Sequence, residues 1–241
     1  MTYILPPMIA VTLVLFANTS LADGHGLDAD GEPIPLAEYT IKDGGIQGDV
    51  DPDQMDDWVR FNRLIPSAYH PEIVLFQPID SDATGGIDGT VAPADDSRET
   101  WLLMLDTTGA VEPHELDRTM VHEYAHLMTL RLSQVPDSGY YCDTTLSIGE
   151  GCPIEGSYLD AFADLFYSET RNGEAELDYY DEDFVTEYAS TNVVEDIAES
   201  FAEWVVHPER WNGDTLADEK VWFFEDYPEL IQLKEEIREN L

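Results

Sequence analysis

The sequence predicts a single α+β domain in which a small N-terminal sheet precedes a mainly helical part. Three observations predict it. Strand-like apolar runs occupy the first half of the chain, segments of helical period fill the second, and the two kinds are segregated rather than alternating. The 241 residues are 43% hydrophobic, enough for one sizeable core, and no internal repeat divides them.

Residues 1–22 carry no charged side chain. An apolar stretch from Ile4 to Ala17 leads into Ser20-Leu21-Ala22, whose small residues fit cleavage before Asp23. This reads as a secretory signal peptide, and it predicts a secreted or periplasmic protein. No Lys or Arg opens the segment and Pro6-Pro7 interrupts it, so an uncleaved anchor is the alternative. Yet the stretch is shorter than the roughly 20 residues a bilayer span takes. No Cys follows the run, which excludes lipidation at a lipobox cysteine.

Residues 23–54 are rich in Gly, Asp and Pro and are expected to be a loosely structured mature N-terminus. The folded domain is then expected over residues 55–241. Within it, Trp58, Phe61, Leu64 and Ile65 recur at helical spacing, predicting a helix from Asp56 to Ile65 that Pro66 stops. Ile73 to Phe76 reads as a buried strand. Asp80 to Asp96 is Gly- and Asp-rich; its spacing matches no EF-hand loop, so it is read as a plain turn rather than a Ca²⁺ site. Trp101 to Leu105 is a second strand. A long helix follows from Pro113 to about Leu132, with Leu116, Met120, Leu127 and Leu130 on its apolar side. Further helices are expected over Ser157–Tyr167, Thr191–Val206 and Asp218–Leu241, the last broken near Pro228.

The composition is strongly acidic, with 51 Asp+Glu against 11 Lys+Arg and a formal net charge of −40. Such a field repels nucleic-acid phosphates and anionic membrane surfaces, so neither is an expected partner. It fits a salt-rich habitat and equally an ordinary acidic exported protein. Cys142 and Cys152 are separated by a Gly-, Thr- and Ser-rich stretch, and in an oxidising compartment they are expected to form a disulfide. Metal ligation by this pair would need further donors at short spacing, and none is present.

The helix from Pro113 contains His122-Glu123-Tyr124-Ala125-His126, an H-E-x-x-H motif. Two histidines four apart project from one helix face, so both imidazoles can reach one Zn²⁺. Glu123 lies beside them, able to take a proton from metal-bound water and pass it to a leaving amine. A catalytic zinc takes three protein ligands. The metzincin continuation H-x-x-G-x-x-H is absent, since Met128-Thr129-Leu130-Arg131-Leu132 follows His126. His207 is the later histidine, and it sits before Pro208 at a helix end. The third ligand is therefore expected to be a carboxylate on a later helix. Glu195 and Glu199 lie one turn apart on the same face of the 191–206 helix, and spacing alone leaves the choice between them open.

The segment carrying Tyr188, Thr191-Asn192, Glu195 and Ala198-Glu199 resembles the second helix of gluzincin metallopeptidases of the anthrax lethal factor type. More broadly, His122 to Leu241 resembles exported bacterial zinc-metallopeptidase-like proteins. The motifs that carry this are His122 to His126, Gly151-Cys152, Ser157-Tyr158-Leu159 and Glu195-Asp196-Ile197-Ala198-Glu199-Ser200-Phe201. The resemblance covers about half the chain. It implies a zincin-like catalytic domain over residues 55–241 that binds one Zn²⁺ per chain through His122, His126 and Glu195. It implies that Glu199 accepts a hydrogen bond from the outer nitrogen of a ligand histidine, and that Tyr188 donates to the oxyanion of the tetrahedral intermediate. Swapped roles for Glu195 and Glu199, and a core role for Tyr188, are the alternatives.

The expected function is thus zinc-dependent hydrolysis of peptide bonds, with Trp101–Leu105 as the edge strand along which an extended substrate pairs. The substrate is expected to be a peptide or protein, cationic ones being favoured by the field. Two rivals keep the same zinc. One is an amidase acting on a non-protein amide, and the other is an inactive, zinc-stabilised binding domain, in which Glu123 would have no purpose.

Overall fold

The computed structural model describes residues 26–29, 31–136, 142, 145–168 and 172–241. Residues 1–22, read as the signal peptide, lie outside these. The fold is mixed α+β, with a small sheet in the first half that has two α-helices between its strands, and the remaining α-helices after it.

Residues 26–46, expected to be loose, hold four short strands: β1 (Gly26–Leu27), β2 (Pro33–Ile34), β3 (Tyr39–Lys42) and β4 (Gly45–Ile46). β1 and β2 pair with each other, while β3 and β4 form a hairpin turned by Asp43 and Gly44, with φ of 51° and 75°. Asp-Gly suits such a turn because both positions need positive φ. Strands of two to four residues have too little alternation to be seen in sequence; their sheet partners define them.

Helix α1 (Pro52–Leu64) starts earlier than Asp56 because Asp51 accepts a hydrogen bond from the Asp53 N–H and Pro52 fills the first turn. Then follow β5 (Ile73–Ile79), a short helix α2 (Ser81–Thr84), β6 (Gly89–Pro93) and β7 (Trp101–Asp106). The five-stranded sheet runs β4-β3-β5-β7-β6, with β5 and β7 parallel and the outer pairings antiparallel. This corrects two expectations. The Asp80–Asp96 stretch is not a plain turn, since it contains α2 and β6. Moreover Trp101–Leu105 lies inside the sheet, and the edge next to it is β6, which pairs Gly89 to Pro93 against Leu105 to Trp101. The physical reason is visible in burial: Trp101, Leu103 and Leu105 are buried, as a central strand must be, whereas every residue of β6 is half-buried. Pro93, which has no N–H to give, is tolerated at an edge.

The helical half comprises α3 (Pro113–Leu130), α4 (Tyr158–Phe166), α5 (Val193–Val206), α6 (Leu216–Trp222) and α7 (Pro228–Arg238). α3 packs between the sheet and α5. Its apolar residues join Ile197, Ala198 and Phe201 of α5 in the core, where the Tyr124 and Phe201 rings lie 6.5 Å apart. Cys142 and Cys152 form the expected disulfide. Among the described residues, no helix is long and apolar enough to cross a membrane.

Candidate metal centre

α3 begins at Pro113 and keeps its 3.6-residue period unbroken through Leu130, so His122 and His126 emerge from one face a single turn apart. Both are pressed against α5 and nearly inaccessible, at 6% and 9% exposure, and Glu123 between them is 6% exposed. Opposite them, α5 is started by Asn192. Its backbone is fully extended, and its side chain accepts from the N–H groups of Val194 and Glu195. That cap fixes the first turn of α5, and with it the carboxylate of Glu195.

The two imidazole Nε2 atoms lie 2.9 Å apart, and Glu195 Oε2 is 3.1 Å from that of His126 and 3.3 Å from that of His122. The three donor atoms fall within 4.8 Å of one another, and no other such group of His, Cys, Asp or Glu occurs among the described residues. A tetrahedral zinc with bonds of about 2.0–2.1 Å holds its ligand atoms about 3.3 Å apart, so the cluster needs only a few tenths of an ångström of expansion to accept one. Two imidazole nitrogens and a carboxylate are also the donor set of a catalytic rather than a structural zinc. The donors fit the ion.

Glu199, one turn beyond Glu195, does not enter the cluster. Its Oε1 lies 2.8 Å from the outer nitrogen, Nδ1, of His122, and its Oε2 accepts the hydroxyl of Thr186 at 2.6 Å. The two glutamates that spacing left equivalent thus stand differently, Glu195 facing both Nε2 atoms and Glu199 the back of one ring.

Burial would raise both glutamates, yet the histidines outweigh it: Glu195 is held well below the usual carboxylate range, and Glu199 is held down at about 2 with the help of Arg118. His122 is correspondingly pushed up to about 10 by Glu195 and Glu199, against its burial. Glu123 behaves differently. Burial raises its carboxyl, opposed by His122 and His126, and the N–H of Val91 on β6 points at it. A carboxylate raised by desolvation next to the cluster has the character of a proton acceptor.

Tyr188 sits on a short helical turn, Tyr188–Thr191, just before α5. It is 54% exposed, which rules out the core alternative, and its ring centroid is 6.0 Å from that of His122. Burial of its hydroxyl and the nearby Glu195 raise its pKa, so it stays a proton donor.

Sequence reasoning missed two contributors. Gly89 of β6 lies against α3 so closely that a Cβ there would meet Thr119 Cγ2 at 2.7 Å and Glu123 Cγ at 3.2 Å. Arg118 binds Glu199 and Glu203 from the turn before His122. A glycine in a Gly-rich segment and a lone arginine on an acidic chain carry no local signal of either contact. Three of the five acidic residues of the 80–96 segment are used locally: Asp80 accepts from the Ala83 N–H, Asp88 from Ser81, and Asp95 from the Ser97 N–H.

No protein-family model matches the chain, and no curated protein does. Among solved structures it is similar to a protein of Bacteroides caccae provisionally named a zinc-binding metallo-peptidase. The TM-score is 0.41 and the identity 17%, with 83% of each chain covered.

Proposed function

We propose that this chain is an exported zinc metallopeptidase. The observation that carries the reading is the convergence of His122, His126 and Glu195 within 4.8 Å, with a raised, buried Glu123 beside them. His122, His126 and Glu195 hold the ion; a zinc held there supplies a Lewis acid that polarises a carbonyl and acidifies water. Glu123 takes the proton from the attacking water and later delivers it to the leaving amine nitrogen. Tyr188, exposed at the rim and kept protonated, donates to the oxyanion as the carbonyl becomes tetrahedral.

Among the described residues β6 is the edge strand of the sheet that borders Glu123, so an extended peptide adds there, main chain to main chain, with its scissile bond over the cluster. The disulfide suits the oxidising compartment that the N-terminal segment implies. The acidic field attracts cationic substrates.

The test is metal analysis combined with digestion of a peptide library by the wild type and Glu123→Gln. The expected result is one zinc per chain in both and cleavage by the wild type alone, with the variant slower by about 10²–10⁴-fold. Zinc in both and cleavage by neither would leave a zinc-stabilised binding domain. Cleavage of non-protein amides but not peptides would identify an amidase.

A further inference from the structure

Arg118 is a half-buried cation for which the reaction above has no use. It lies on α3 one turn before His122, its side chain only 18% exposed. Its Nη2 donates to Glu199 Oε2 at 2.7 Å, its Nη1 to Glu199 Oε1 at 3.2 Å, and its Nε to Glu203 Oε1 at 3.0 Å. Each oxygen of Glu199 is thus shared: Oε1 between Arg118 and His122 Nδ1, Oε2 between Arg118 and the Thr186 hydroxyl. A planar guanidinium gripping a carboxylate through two parallel bonds fixes the carboxylate plane, which a lysine cannot do. The imidazole torsion is otherwise broad and soft, so the Glu199 contact on Nδ1 decides where Nε2 points. His126 has no comparable brace: Glu199 Oε1 stands 2.8 Å from His122 Nδ1, whereas among the described residues no carboxylate stands at His126 Nδ1, the acidic contact of that ring being Glu195 on Nε2. The orientation of the donor set therefore leans on His122.

We propose that Arg118 is a positioning residue of the metal centre: its two-pronged grip on Glu199, completed by Thr186, holds the His122 ring with Nε2 turned toward Glu195 and His126. This rests on the reading of those three residues as ligands. The competing role is a plain staple between α3 and α5, which Arg118 would serve equally well through Glu203.

Zinc dissociation constants of the full chain, measured by chelator competition alongside thermal unfolding, separate the two. Arg118→Met is expected to weaken zinc binding about tenfold, at the lower end of what removing such a brace does, and Thr186→Val by a few-fold. Glu203→Gln, which removes the stapling partner but not the grip, is expected to lower the unfolding temperature while zinc affinity stays at the wild-type value. In a double-mutant cycle, Arg118→Met should add almost nothing to Glu199→Gln, because both act through one carboxylate. Should Arg118→Met fail to fold, Arg118→Lys keeps the charge without the fork and is expected to lose nearly as much affinity. Wild-type zinc binding by Arg118→Met or Arg118→Lys overturns the proposal, as do losses that multiply in the double variant. A wild-type chain that binds no zinc overturns the metal-centre reading itself, which is a different result.

Discussion

Exchanging Glu195 and Glu199 for glutamine, one at a time, asks which carboxylate belongs to the metal. The two substitutions are isosteric and lie one turn apart on α5, so helix propensity and packing change little. Glu195 Oε2 faces both Nε2 atoms, at 3.1 and 3.3 Å, whereas Glu199 reaches only Nδ1 of His122, at 2.8 Å. A structural zinc site is worth about 10–16 kcal/mol over four ligands, or roughly 3 kcal/mol for one. At about 1.4 kcal/mol per decade, Glu195→Gln should weaken zinc binding by two to three orders of magnitude. Glu199→Gln leaves all three donors in place and loosens one ring, so about 10–100-fold is expected. It also leaves Arg118 without its main counter-ion, so its unfolding temperature in the absence of metal should fall further than that of Glu195→Gln. Chelator-competition titrations with zinc, and thermal unfolding of the metal-free proteins, read both effects. A larger zinc loss from Glu199→Gln than from Glu195→Gln would refute the assignment, because it would mean the carboxylate on the back of the ring is the one that bonds the ion.

Gly89→Ala should lower peptide cleavage by about 100-fold at unchanged zinc content, since a Cβ 2.7 Å from Thr119 Cγ2 and 3.2 Å from Glu123 Cγ must push β6 or Glu123 aside; zinc analysis with steady-state kinetics checks this, and full activity would show that Glu123 tolerates the shift. Burial beside Trp58 and Phe61 lowers the pKa of His70. The unfolded chain therefore takes up that proton first, and stability is present above about pH 6.5 and lost as pH falls below it. Unfolding temperatures of the zinc-loaded protein between pH 8 and 5 should fall less steeply for His70→Gln than for the wild type, and parallel curves would contradict this. Lys-rich peptides should be cleaved faster than Glu-rich ones at low ionic strength, with the gap closing at high salt as the −40 field is screened; equal rates at low salt would dismiss steering.

Local pattern carried the long elements. Repeating apolar positions placed α1, α3, α4 and α5 within a few residues, and Pro113 and Pro66 marked a start and a stop that the backbone respects. Caps moved the boundaries: Asp51 begins α1 early, and Asn192 delays α5 to Val193. The sheet was less legible. β6 is five residues in a Gly- and Asp-rich stretch, and only pairing with β7 makes it a strand. An apolar run such as Trp101–Leu105 reads as a strand at the centre or at the edge alike, because its neighbours are not written in it.

The same division holds at the candidate site. The sequence by itself determined that two histidines share one helix face with a glutamate beside them, because a spacing of four and the helical period are local facts. It also determined the acidity that makes carboxylates abundant. Tertiary structure alone decided which carboxylate meets those histidines, since residues 122 and 195 are brought together only by the packing of α3 on α5. It decided likewise that Glu199 lies behind the His122 ring and outside the His122, His126 and Glu195 cluster, that Arg118 grips it, and that β6, not β7, borders Glu123. The physical reason is one of range. A helix period sets directions within a turn or two, while the distance between side chains far apart in the chain depends on how every core residue between them packs.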